Sequence, residues 1–160
     1  MSEPPPASSS ASNLAIANDS GIVVDVDALD GLVGHLLPAM RLHPDCELSI
    51  TLVDADRMTD LHVEWMDEPG PTDVLSFPMD ELRSAPDGVE PVPGVLGDIV
   101  LCPDFVRAQA QEKGRSLDEE LAFLVTHGML HLIGYDHATP EDYDAMFALQ
   151  DQLLAEWSRS

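Results

Sequence analysis

No stretch of this chain constrains its fold more than the one from Ser116 to His137. Ser116 has the short oxygen-bearing side chain that accepts hydrogen bonds at a helix N-terminus. Glu119, three residues on, completes a capping box. From Ala122 to Ile133 the only polar side chains are Thr126, His127 and His131. Leu121, Leu124, Val125 and Leu132 fall on one stripe, and Phe123 and Leu130 cover the opposite side. A helix that is apolar nearly all round is buried, so the rest of the chain must pack around it. His127 and His131 are four residues apart and stack on one face. Gly134 follows the apolar run and can take the left-handed conformation that ends a helix, turning the chain back toward His137. Two helical imidazoles and one from the following turn make an open three-nitrogen metal site, with a position left for water. For either helical histidine alone, a satisfied core residue is the better account. The pair, with Gly134 and a third histidine at fixed offsets, favours the metal.

The spacing is that of the metzincin protease motif H-E-x-x-H-x-x-G-x-x-H, with one change. Gly128 stands where that motif has its glutamate. A peptidase using that mechanism would lack its general base.

Three segments, in order, resemble the blocks of the YbeY family of metal-dependent endoribonucleases. They are Pro71-Thr-Asp-Val-Leu-Ser-Phe-Pro78, Gly97-Asp-Ile-Val-Leu-Cys102 and His127-Gly-Met-Leu-His-Leu-Ile-Gly-Tyr-Asp-His137, and the resemblance spans about residues 14 to 158. It implies a zincin-like α+β single domain: a small mixed β-sheet packed with helices, its metal site on a buried helix and the turn after it. It also implies a single-strand-specific endoribonuclease of ribosomal RNA processing, acting in 3′-end maturation of small-subunit rRNA and in ribosome quality control. The implied partners are RNA, ribosomal RNA above all, and the ribosome or ribosome-associated factors. His127, His131 and His137 would bind one Zn²⁺ per chain, although other divalent first-row ions suit three imidazoles too.

Beyond the ligands, Ser76, Asp136 and Arg115 are candidates for a catalytic role. By the resemblance, the strand carrying Ser76 borders the metal site, so Ser76 is either a substrate contact or plain strand surface. Asp136 either orients a histidine or forms the turn after Tyr135. Glu119 and Glu120 lie two turns upstream of the histidines, too far to act as a base. Many family members carry an arginine shortly before the first block; here that position is Met66. Arg115 or Lys113 would have to serve in its place, or phosphate contact is weaker. The competing readings are a metallopeptidase or other small hydrolase, and a non-enzymatic ribosome factor with a structural metal. Gly128 speaks against the first. The open coordination position speaks against the second, because structural zinc sites are usually closed.

Charge cuts across the nuclease reading. The chain has 7 Lys and Arg against 30 Asp and Glu, a net charge of −23. Phosphate binding normally rests on cations, so this balance argues against a tight non-specific nucleic-acid binder. Arg107, Lys113 and Arg115 cluster just before the histidine helix, either as phosphate contacts or as a solvated helix end. No apolar run approaches the roughly 20 residues that span a bilayer, and no membrane association is expected. The N-terminus lacks the basic and apolar regions of a secretory signal. Cys46 and Cys102 suggest no disulfide framework, which fits a cytoplasmic protein.

At 160 residues the chain suits one domain. Residues 1–12, rich in Ser, Pro and Ala, read as a disordered tail before a single domain over 13–160. Strands are expected at Leu14–Asn18, Glu47–Val53, Thr72–Phe77 and Val95–Cys102. The third, closed by Pro78, suits a sheet edge, and the fourth, the most apolar, a central place. Helices are expected from Asp25 or Asp27 to about Leu42, over Arg57–Met66, from Pro103 to Lys113, and from Pro140 to about Trp157. Pro69 and Pro71 break the chain between the second helix and the third strand. Tyr143, Met146, Phe147, Leu149 or Gln150, Leu153, Leu154 and Trp157 make the packing face of the last helix. His35, His43 and His62 have no partner at ligand spacing and read as structural or surface residues.

Overall fold

The structure, a computed structural model, describes residues 13–68, 70, 72–136 and 138–159, apart from the side chain of Arg159. The expected tail over 1–12, Pro69 and Pro71 of the chain break, and His137 of the metal set lie outside these residues. In order come β1 (Leu14–Asn18), α1 (Val26–Ala39), β2 (Glu47–Leu52), α2 (Ala55–Met66), β3 (Val74–Pro78), β4 (Val95–Leu101), α3 (Pro103–Lys113), α4 (Leu117–Leu132) and α5 (Pro140–Arg159).

The helices start where short polar side chains satisfy free backbone N–H groups. Asp25 accepts from Ala28 N, Asp54 from Arg57 N, and Thr139 Oγ1 from Asp142 N. α3 instead opens on Pro103, which has no N–H to satisfy, and ends at Gly114 with φ 70°. Two boundaries differ from expectation. α1 stops at Ala39, not Leu42, because Pro38 lies in its last turn and Arg41 takes a left-handed φ of 57°. α2 begins at Ala55, because Asp54 alone is the cap.

The sheet order is β1-β2-β4-β3. β1, β2 and β4 run parallel, and β3 pairs antiparallel with β4 at the edge. The sheet is therefore mixed, with β4 inside it and β3 at a border, as the apolar pattern and Pro78 implied. Leu48, Ile50 and Leu52 of β2 and Leu96, Ile99 and Leu101 of β4 turn one face toward α1 and α4. The opposite face carries Val53, Leu75 and Val100 under Met58 and Leu61 of α2. α4 meets β3, β4, α1, α3 and α5, which is why its sequence is apolar nearly all round.

β4 holds a bulge: Val95 pairs with Glu47 and Gly97 with Leu48, so Leu96 is the extra residue. Gly97 has φ 141°, and a Cβ there would lie 2.1 Å from the Phe77 carbonyl oxygen. The close backbone approach expected at this glycine is thus between β4 and β3. Burial pushes the thiols of Cys46 and Cys102 above their ordinary pKa, so both stay protonated, buried packing groups. Among the described residues no helix is long and apolar enough to cross a membrane.

Candidate metal centre

Local chemistry at the end of α4 sets the first part of the site. Gly134, with φ 101°, follows the helix. Its N–H donates to His131 O at 3.0 Å, and the Tyr135 N–H donates to Leu130 O at 3.0 Å. These two bonds are the Schellman pattern of helix termination. The reversal lays the Tyr135 carbonyl beside His131, whose Nδ1–H donates to it at 3.0 Å. A backbone carbonyl only accepts, so the His131 proton sits on Nδ1 and Nε2 carries the lone pair.

α5 fixes the other ring. Gln150, fully buried, donates from Nε2 to Phe123 O at 3.2 Å, and its Oε1 faces His127 Nδ1 at 3.1 Å. The Phe123 carbonyl sets which way the amide points, and the amide in turn places the His127 proton on Nδ1. Both Nε2 lone pairs then point at one another across 3.0 Å. Two facing lone pairs repel unless a positive centre lies between or beside them. Two imidazole nitrogens bound to one tetrahedral zinc, each at about 2.0–2.1 Å, would lie roughly 3.3 Å apart. The pair therefore fits a shared divalent cation in tautomer, direction and spacing. Among the described residues no third His, Cys, Asp or Glu converges on the same point; His137 is outside them.

Both rings line a cleft of about 730 Å³ between β3, α3, α4 and α5. Ser76 is on its wall. Gly128 faces the same strand: a Cβ there would come within 3.0 Å of Ser76 Oγ and 3.1 Å of Ile99 Cδ1. The residue that replaces the protease glutamate therefore lets α4 lie close on the sheet. Met66 lines the cleft, so no cation enters from that position, and among the described residues Lys113 is the Lys or Arg on the wall.

The cations before α4 have a structural tie that sequence did not reveal. Glu120 is fully buried, and its carboxylate takes Lys113 Nζ at 2.7 Å and Arg115 Nη1 at 3.0 Å. Both cations also lie over the Phe123 ring, at 5.0 and 4.8 Å. Arg115 does not line the histidine cleft; it borders a separate hollow with Glu119 and Trp157. Arg107 pairs with Asp104. Hydrogen bonds from Ser116 hold the exposed Glu119 carboxyl below its ordinary pKa, so it is occupied as the helix cap. Asp136 is exposed beside Gly134 and Tyr135, in a hollow apart from the cleft.

The packing face of α5 is largely as expected, with Met146, Gln150 and Leu153 buried. Tyr143 is the correction. It is 50% exposed and stacks on Phe147, their centroids 4.4 Å apart, because one ring at the helix start covers the next one turn on. Phe147 in turn lies 5.5 Å from His127 and joins the cleft wall.

Residues 16–158 match the family described as Endoribonuclease YbeY. A Thermobifida fusca relative named Endoribonuclease YbeY is 53% identical over 148 residues, covering 92% of this chain and 96% of its own length. One from Nocardia farcinica, of the same name, is 55% identical over 150 residues, covering 92% of this chain and 82% of its own. A solution structure of a Thermotoga maritima protein shares the fold with a TM-score of 0.58 at 26% identity, over 91% of this chain and 92% of that one. The chain accordingly belongs to the YbeY family of endoribonucleases, hydrolases that cut phosphodiester bonds within RNA.

Proposed function

We propose that His127, His131 and His137 together hold one divalent ion, zinc by donor type, and that the cleft above them cuts single-stranded RNA. The substrate in this reading is ribosomal RNA near the 3′ end of the small-subunit species. The setting is the cytoplasm, on or beside the ribosome, where the same cleavage serves ribosome quality control. The observation that carries the reading is the pair of Nε2 atoms facing one another across 3.0 Å, each ring locked by its Nδ1–H. His137 enters the set by its spacing after Gly134. When bound, the ion supplies positive charge that polarises a phosphoryl oxygen and acidifies a water.

The chain's own groups do the rest. Gln150 and the Tyr135 carbonyl keep both rings in the metal-binding tautomer. Lys113 brings a positive charge to the wall of the cleft that Ser76 also lines. Phe123, covered in part by Lys113 and Arg115, and Phe147, stacked on Tyr143, add aromatic surface to the cleft wall against which an unstacked base would pack. No carboxylate of α4 serves as base, since Asp118, Glu119 and Glu120 are all engaged in the helix's first turn. The peptidase reading loses its footing for the same reason: position 128 has no side chain and faces the sheet.

The test is to strip the protein with a chelator and offer it RNA and casein, before and after zinc is restored. RNA should be cut only after reloading, and casein not at all. Cleavage by the metal-free protein, or of casein, would overturn the proposal. The product ends identify the nucleophile, because a 2′,3′-cyclic phosphate means attack by the RNA's own 2′-hydroxyl.

Gln150→Leu isolates the tautomer clamp. It keeps the side chain's bulk but removes the amide oxygen that faces the His127 Nδ1–H and the extra donor to the Phe123 carbonyl, which keeps its bond within the helix. Loss of such an orienting partner typically costs about 10- to 100-fold in metal affinity, and an unsatisfied buried group about 1–3 kcal/mol of stability. Competition against a chromophoric chelator reads the first and thermal melting the second. Unchanged affinity in a folded variant would remove Gln150 from the site.

A further inference from the structure

Arg83 lies across the turn that ends α4. A Cβ built on Gly134 would fall 2.6 Å from Arg83 Nε and 2.7 Å from Cζ, so the guanidinium rests on bare backbone. Gly134 is thus needed both for its φ of 101° and for this contact. Arg83's own loop holds it from the other side: Nη1 donates to Glu81 O at 3.0 Å and to Leu82 O at 2.9 Å. An arginine has five N–H donors in a rigid plane, and these bonds use two of them.

The other cations show why this one stands out. Arg41 pairs with Asp87, Arg107 with Asp104, and Lys113 and Arg115 share Glu120. Among the described residues Arg57 and Arg83 pair with no carboxylate. Arg57 sits in a different hollow, with Trp65 and Asp98 on the other side of the sheet. The nearby Asp80 is committed to the Val95 N–H at 2.7 Å. In a chain with 30 acids and 7 bases, a fixed and unneutralised guanidinium beside the histidine helix is unusual.

Its place follows from the packing. Ser76 of β3 lies against Gly128 of α4, and the chain continues through Pro78 to put Arg83 on Gly134. β3 and α4 therefore run the same way along the cleft. Lys113 is on the cleft wall with Phe123, whereas Arg83 lies outside the cleft, on Gly134, three residues past His131. An RNA strand that leaves the cleft past His131 would meet Arg83 there.

We propose that Arg83 binds a backbone phosphate of the substrate on the His131 side of the cleavage point, through the guanidinium N–H groups its loop leaves over. This rests on the reading of the histidine cleft as the RNA site. The measurement is binding of a labelled single-stranded oligoribonucleotide across a salt series, in a His131→Ala background that should leave the RNA uncut. Arg83→Gln should weaken binding roughly 3- to 10-fold and flatten the slope of log K against log salt by about 0.7, the value of one lost phosphate contact on a single strand. Arg83→Lys should restore the slope but not the full affinity, because it keeps the charge and loses the fork. In the otherwise native protein, Arg83→Gln should raise KM by a similar factor and leave kcat and bound metal unchanged. If Arg83→Gln binds RNA as its parent does, with the same slope, while His131→Ala abolishes cleavage, the Arg83 contact is overturned and the cleft stands. If RNA is still cut after His131→Ala, the cleft reading fails and Arg83's role falls with it.

Discussion

Alanine at position 131 is expected to lower affinity for a divalent ion by roughly 10²- to 10⁴-fold and to bring RNA cleavage below detection. Zinc sites with a full ligand set bind with about 10–16 kcal/mol, so one imidazole is worth roughly 3–5 kcal/mol. The ion-free protein should lose little. The ring's bond to the Tyr135 carbonyl disappears, but so does the opposition of two lone pairs across 3.0 Å. The loss therefore shows most clearly in ligand-dependent stability. At a free ion concentration of 1,000 times the native Kd, binding stabilises the parent by about 4 kcal/mol. A variant with 10³-fold weaker affinity gains only about 0.4 kcal/mol at that concentration. Thermal melts with and without zinc should separate widely for the parent and nearly coincide for His131→Ala. Equal zinc-induced shifts in the two proteins would show that the ion binds elsewhere.

What sequence could reveal about this site depended on how locally each feature is determined. The start of α4 at Ser116, its end at Gly134 and the stacking of His127 on His131 are settled within a few residues by capping and helical period. They were legible. The sheet-edge place of β3 was legible too, because Pro78 cannot donate to a further strand. The partners that lock the histidines were not. Gln150 lies 23 residues from His127 along the chain and reads only as an alternative to Leu149 on the packing face of the last helix, with no sign of a histidine partner. Only the docking of α5 on α4 turns its amide into a clamp. Glu120 likewise reads as first-turn helix charge, yet tertiary packing buries it completely between Lys113 and Arg115. The same tie gathers Lys113 and Arg115 on one carboxylate, yet only Lys113 reaches the cleft wall while Arg115 borders another hollow, a difference that the run of basic residues before the histidine helix does not show. Gly128 was legible in part. Comparison with a protease motif showed that a base is missing there, and the space beside it adds that the helix is pressed onto Ser76 and Ile99.

Gly97→Ala is expected to be among the most destabilising single-methyl additions this chain can receive. At φ 141° only glycine is at ease, and forcing another residue there costs of order 1–3 kcal/mol. The new Cβ would lie 2.1 Å from the Phe77 carbonyl oxygen, with Pro78 Cα at 3.0 Å. These are backbone atoms, so no rotamer change relieves the overlap. β3 must move away from β4, and ladder bonds at that end are lost. A total of about 4 kcal/mol follows, which for a chain of this size lowers Tm by roughly 8–16 °C. Gly31→Ala is the matched control. It is exposed within α1 with no atom within 4 Å of its built Cβ, and should raise stability by up to about 1 kcal/mol through helix propensity. The functional consequence is specific. β3 carries Ser76 along the cleft, whereas His127, His131 and Gln150 belong to α4 and α5. Below its melting point the Gly97→Ala protein should therefore bind zinc nearly as the parent does, while cutting RNA more slowly. A variant that melts within about 2 °C of the parent would mean that β4 bears side-chain bulk at the bulge. The close approach of the two backbones would then not be what holds the cleft's outer wall in place.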